Sequence, residues 1–363
     1  MLISETKSFF LILYIKAFND DDLSAEKEEG DSGMNHSNNA SSLDQIRLNH
    51  SVDDFRSTFH DLGEKHKPRA ITYINEERLS FPSLFILMPE MEALNLYDKL
   101  NARNLIALKM CAKILKDESI GPHEDNLLSD NNGMIYPVLK WMLTTGSAAD
   151  GLNDEYDIVI DGVASLLIKT YKDTSVLPVV ADLIFKRHRK GYLIHDLVWC
   201  FFQARDPICL RLIAGYIRSP NQRDVDLAFK LLHFAPNDSA RGNNRQKQYQ
   251  DYLSWLQENK KYLYFTGENF QHTSNPEPCS VDLDAKYLCK EVSAVDKKPL
   301  EPLTETDNNR LKQFHEARQE DEEILSKYSH RIHDQNIRLW NQWIEYPVSK
   351  QIEIAKSGNG GAR

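Results

Sequence analysis

"KDTSVLPVVADLIF", Lys172 to Phe185, and "RDPICLRLIAGYIR", Arg205 to Arg218, carry the reading of the fold. Each opens on a basic residue followed by aspartate, and the two openings lie roughly 33 residues apart, a period typical of stacked helical repeats. At that offset Leu177 matches Leu210, Val180 matches Ile213, Ala181 matches Ala214 and Ile184 matches Ile217. After a small shift the partner helices align as well, with Leu197, Phe201 and Phe202 set against Leu227, Leu231 and Leu232. "DGVASLLIKTY" takes the equivalent place before Lys172. "YLIHDLVWCFF", Tyr192 to Phe202, is apolar nearly all round, so it must lie between neighbours rather than on a surface. A helix pair of this kind cannot bury itself, and stacking copies solves the problem. The chain is therefore expected to be all-α.

"NQRDVDLAFKLLHF", Asn221 to Phe234, opens with asparagine, aspartate and a branched apolar residue. With the paired hairpins before it, this stretch resembles the HEAT and armadillo-like helical-repeat superfamily over Asp154 to Pro236, and back to about Met91. The resemblance implies a short α-solenoid whose curved face holds a protein or peptide. It also implies an alternative, because HEAT-like DNA glycosylases carry out base-excision chemistry in a basic groove with a carboxylate and aromatics. A third reading is a self-associating structural protein that uses its C-terminal helix as a coiled coil.

Working outward, the boundaries expected are a helical-repeat domain over 46–260, an aromatic cap and irregular linker over 261–305, a C-terminal helix over 306–346 and a flexible basic tail over 347–363. "RAITYINEERLSFPSLFIL" fits a short strand or an extended link, and Leu105, Leu108, Ala112 and Leu115 form a stripe on the helix that follows. Thr306 is the expected cap of the C-terminal helix. Residues 1–45 are expected to be a disordered or mis-annotated extension. The codons of "EKEEG", just before Met34, can spell a purine run like a bacterial ribosome-binding site, so the start is expected at Met34. A native peptide spanning Gly33 and Met34 would refute that. Residues 1–33 carry eight acids and three bases, half of the formal net charge of −10. "SFFLILYI" within them is too short to cross a bilayer, and no membrane association is expected.

An acidic balance of −10 speaks against a general nucleic-acid binder. Five cysteines without a C-x-x-C pair point to a reducing cytoplasm. Phosphate loops, dinucleotide fingerprints and hydrolase elbows are absent from the sequence, and no catalytic residue, cofactor or metal is expected. His330 and His333 have a spacing metals use, but the further ligands are missing. His195 and Cys200 read as core residues of one helix.

Three groups remain. Tyr262, Tyr264, Phe265 and Phe270 follow the last helix of the stack and are expected to cap its open end, a ligand surface being the alternative. Lys186, Arg187 and Arg189, in the basic run before Gly191, complement a helix C-terminus and are candidates for an acidic partner. Trp340, Trp343 and Tyr346 are the residue types favoured at interfaces and are the first candidates for contact with an unknown protein partner, docking onto the solenoid being the alternative.

Overall fold

The structure, a computed structural model, describes residues 40–116, 133–234, 244–268, 270 and 273–358. The expected start at Met34, the polar loop between residues 117 and 132, Pro236 and the last five residues lie outside them.

The described chain is all-α with one short antiparallel strand pair. Its helices are α1 (Ser42–Asn49), α2 (Val52–Lys65), α3 (Lys67–Ile74), α4 (Phe81–Ile86), α5 (Met88–Ala93), α6 (Ala102–Leu115), α7 (Ile135–Gly146), α8 (Asp154–Ser165), α9 (Leu177–Lys190), α10 (His195–Phe202), α11 (Ile208–Gly215), α12 (Gln222–Leu232) and α13 (Arg245–Asn259). Then come β1 (Leu263–Phe265), β2 (Cys279–Val281), α14 (Leu283–Leu288), α15 (Glu305–Phe314), α16 (Gln319–Gln335), α17 (Ile337–Trp343) and α18 (Val348–Gly358).

Local chemistry sets the starts of these helices. Ser41, Ser51, Asn101, Asn153 and Asn221 each lend a side-chain oxygen to an amide of the first turn, which satisfies donors that the helix itself cannot. Pro68, Pro82 and Pro178 sit at first-turn positions of α3, α4 and α9, where a missing N–H costs nothing. For this reason "RAITYINEERLSFPSLFIL" holds helices α3 and α4 rather than a strand.

Packing in the middle of the chain runs from each helix to its near neighbours. Helix α8 lies against α6, α7 and α10, α9 against α10, α11 and α12, and α11 against α12 and α13. The matched positions Leu177 and Leu210, Val180 and Ile213, Ala181 and Ala214, and Ile184 and Ile217 are all buried, as are Leu197, Phe201, Phe202, Leu227, Leu231 and Leu232. One apolar cluster extends from Leu43 through these helices to Phe265. On α6 the buried face is rotated from the expected stripe. Ile106, Ala107, Met110 and Cys111 point in, while Ala112 and Leu115 are exposed. Asn104 fixes that rotation, because its buried amide donates to the Ile74 carbonyl at 2.7 Å and must keep this partner inside.

The C-terminal part differs from the single helix expected over 306–346. Arg318 and Asn336 take extended backbone conformations and divide it into α15, α16 and α17. Asn336 then caps the next segment through the Leu339 amide. The first cap is Thr304 rather than Thr306, in a reciprocal box with Asp307, which also holds Lys290 at 2.7 Å. The expected linker contributes α14, packed along α16. The expected flexible tail is helical as far as Gly358, with Gln351 and Ala355 buried. Together α14 to α18 enclose a second apolar cluster around Tyr287, Phe314, Leu325 and Trp343.

Candidate functional site

Helix α9 ends where Gly191 turns left-handed, at φ 79°. The Tyr192 amide returns to the Arg187 carbonyl at 3.0 Å, closing carbonyls that would otherwise lack donors. The chain leaves this turn with Tyr192 and Leu193 facing outward, Leu193 at 81% exposure, before Ile194 dives into the core. Tyr192, Leu193, Ile194, His188 and His195 form one wall of an open cleft of about 1010 Å³, and Arg223, Leu227 and Lys230 of α12 form the opposite one. Phe270 closes one side, stacked on His195 with centroids 5.1 Å apart and lying 4.9 Å from Lys230 Nζ.

Charge in this region is strongly sorted. Arg187, from the basic run, points inward and is buried. Its Nε donates to Asp150 Oδ1 at 2.8 Å and its Nη1 to Asp161 Oδ2 at 2.9 Å, and Asp157 is 4.0 Å away. Burial pushes the Asp161 carboxyl up to about 6 against the pull of Arg187, and burial raises Asp157 too. Arg189 pairs at 3.0 Å with buried Asp224. Lys186 donates to the carbonyls of Ser147 and Ala148. Of the three basic residues expected to meet a partner, then, Arg187 is withdrawn from the surface altogether and the other two hold neighbouring segments.

The cations that line the cleft are Arg223 and Lys230. Arg223 donates to the Arg189 carbonyl at 2.8 Å, and among the described residues neither has a carboxylate within ion-pair distance. Asp226 is the acid among the lining residues; it is exposed and accepts from Gln222 at 2.8 Å. Burial holds the His188 imidazole below its ordinary value, and Arg223 and Lys230 add to the fall. Its Nδ1 is buried without a hydrogen-bond partner among the described residues. The sequence reading missed Arg223 and Lys230. Their spacing with Leu227 along α12 is the signal that puts them on one helical face.

The expected aromatic cap divides. Phe265 is buried beside Phe202 with centroids 6.4 Å apart, and Phe270 packs on the same large cluster. Tyr264 lies under Lys297. Tyr262 faces the other way, into a small cluster with Ala285 and Val292, where its hydroxyl lies 3.2 Å from His330 Nδ1.

The tryptophan pair does not form an open surface. Trp343 is 2% exposed and packs beside Tyr287 and Tyr328. Trp340 is half-buried and donates to Ser329 Oγ at 2.7 Å. Tyr346 is outside, beneath Lys350.

His195 and Cys200 are separated by burial. His195 faces the cleft, while the Cys200 thiol is in the core, donates to the Leu197 carbonyl at 3.4 Å and is pushed up to about 12 by burial. Among the described residues no group of three or more His, Cys, Asp or Glu converges as a metal site would require. No helix of the described residues is long and apolar enough to cross a membrane. The arrangement can hold an anionic group beside an aliphatic or aromatic one. Set against known protein families, curated proteins and solved structures, the chain matches none of them.

Proposed function

We propose that this chain is a non-catalytic scaffold or adaptor that holds a protein or peptide partner, built as a short HEAT/armadillo-like α-solenoid and acting in a reducing bacterial cytoplasm. The neighbour-to-neighbour packing of α8 to α13 supports the stacked architecture, as does the shared burial of residues matched at the repeat offset. Phe265 and Phe270, lying against the large apolar cluster, support an aromatic cap at its C-terminal end. The buried thiols of Cys111, Cys200 and Cys209 fit a reducing compartment.

The observation that carries the reading is the cleft itself. Leu193 and Tyr192 are held outward by a closed helix end, and an exposed apolar pair rimmed by charge is what a binding surface offers. Affinity purification from the native cell, followed by reassociation of the purified components, tests it. Wild-type chain is expected to capture a partner that Y192S/L193S does not, and failure of any purified protein to reassociate would sink the reading.

A second reading, a HEAT-like enzyme on nucleic acid, draws on Asp226 standing among cations and aromatics in the same cleft. Asp226 would then be the catalytic carboxylate, and release of a base from alkylated duplex DNA, abolished by D226N, is its test. The formal charge of −10 opposes a polyanionic substrate, and the scaffold reading is preferred.

A further inference from the structure

We infer that the cleft between the α9–α10 turn and α12 takes a short acidic peptide, with a carboxylate side chain held between Arg223 and Lys230 and an aliphatic neighbour against Leu193, Leu227 and Phe270. This rests on the scaffold reading and specifies its partner.

Charge sets this cleft apart from the basic run of α9. In the basic run, Arg187 and Arg189 are matched to aspartates, Lys186 to carbonyls, and Lys190 lies near the Tyr192 ring at 5.6 Å. Arg223 and Lys230, on α12, have no carboxylate within ion-pair distance among the described residues, and both face the cleft. Asp226, one helical turn from each of them and in the same lining, accepts from Gln222 and leaves one positive charge in excess there. A chain of net charge −10 that keeps two such cations together offers complementarity to an acid, and such complementarity selects partners more than it adds raw affinity.

The number of spare cations separates a peptide from a nucleic acid. Two cations match one or two carboxylates, whereas tight duplex binding takes on the order of six to ten phosphate contacts. The apolar part of the lining, Leu193, Ile194, Leu227 and Phe270, suits an aliphatic side chain rather than a sugar–phosphate backbone. Lys230, resting over the Phe270 ring, can meet a carboxylate without leaving the aromatic face.

The experiment uses full-length chain and fluorescein-labelled peptides in which two glutamates stand at varied spacing from a leucine, with glutamine versions as controls. Saturable anisotropy is expected for the glutamate peptides, weakened about tenfold by R223Q/K230Q and by the glutamine replacements, and falling as salt is raised. Both positions are exposed, and circular dichroism checks that the variant folds. Equal binding of glutamate and glutamine peptides, binding unchanged in R223Q/K230Q, or tighter binding of a labelled DNA duplex would each overturn the inference. Should a partner from the native cell bind wild-type and R223Q/K230Q equally, the cleft assignment falls and the scaffold stands. Should no partner bind either chain, the scaffold reading itself falls.

Discussion

Lys172 and Arg205 adopt the same left-handed backbone, with φ 54° and 49°, and each precedes an aspartate that caps the next helical turn in the same way. Asp173 Oδ1 accepts from the Ser175 amide and Asp206 Oδ1 from the Ile208 amide, both at 2.9 Å. Two non-glycine residues in this region, at matched points of the sequence, mark a turn that the surrounding packing imposes. The turn places Leu177 and Leu210 in the core at equivalent points.

That turn has a measurable cost. Lys172 is exposed, so its replacement tests the backbone rather than a contact. K172I is expected to lose about 1–2 kcal/mol in urea unfolding, because branching at Cβ worsens the left-handed clash. K172G is expected to match or slightly exceed the parent, since glycine removes the clash but adds unfolded-state entropy. A K172I variant as stable as the parent would show that the turn is not held as described.

Arg187 is the counter-charge for Asp150 and Asp161 inside the fold. R187M is expected to cost about 3–5 kcal/mol at neutral pH, because it leaves buried carboxylates uncompensated. K190Q, at an exposed neighbour, should change stability by no more than about 0.5 kcal/mol. Chemical denaturation of both variants compares an inward with an outward cation of the same run.

Acidity should act on the same cluster with a definite sign. Asp161 is pushed up to about 6 by burial, so the folded chain binds its proton more tightly than the unfolded chain does. The contribution of this group to stability is therefore greatest below its ordinary value, falls as pH rises through the window up to about 6, and levels off above it. Asp150, Asp157 and Arg187 face this carboxyl. D161N removes the titration, and its stability relative to the parent is expected to rise between about pH 4 and pH 7. Urea midpoints at several pH values check it, and a flat difference would contradict the assignment.

Trp343 and Tyr346 belong to one sequence cluster and to two environments. W343A is expected to cost about 3–5 kcal/mol by emptying the second core, with loss of protease resistance in α14 to α18. Y346A should be near neutral in stability, within about 0.5 kcal/mol. If W343A left stability unchanged, the tryptophan would be a surface anchor after all.

The thiols give a separate check on burial. Cys111 and Cys200 are pushed up to about 12 by burial, as are Cys279 and Cys289, and Cys209 is raised too. A thiolate reagent at neutral pH should label the folded chain slowly and all five cysteines promptly in urea. Rapid labelling of Cys200 in the native state would reopen a nucleophilic role beside His195.

Much of the middle of the chain was legible, because helix burial follows the spacing of apolar residues. Leu177, Val180 and Ile184 read correctly as a core face. Of "YLIHDLVWCFF", expected to lie between neighbours throughout, Tyr192, Leu193, His195 and Asp196 are instead exposed, and the enclosed part runs from Leu197 to Phe202 with Trp199 half-buried. Reading failed where a polar group or a distant partner decided the outcome. On α6, Asn104 turns the helix to satisfy its amide, which no hydrophobic pattern records. Trp343 looked like an interface anchor because its partner Tyr287 sits in a stretch with little periodicity. Arg187 looked available because its three aspartates come from a loop and a helix upstream. The cleft unites Tyr192, Lys230 and Phe270, whose approach is a property of the folded chain alone.

Between the two apolar centres the joint combines a small buried apolar cluster, Tyr262, Ala285 and Val292, with polar contacts. Lys286 reaches Asn259 and Glu258 at 2.7 and 3.1 Å, and Tyr262 meets His330. Parting it would bare these apolar side chains as well as break the polar contacts, and water replaces only the latter. A mixed seam of this sort couples the C-terminal helices to the helices before them, so heat or chaotrope is expected to melt both in one transition.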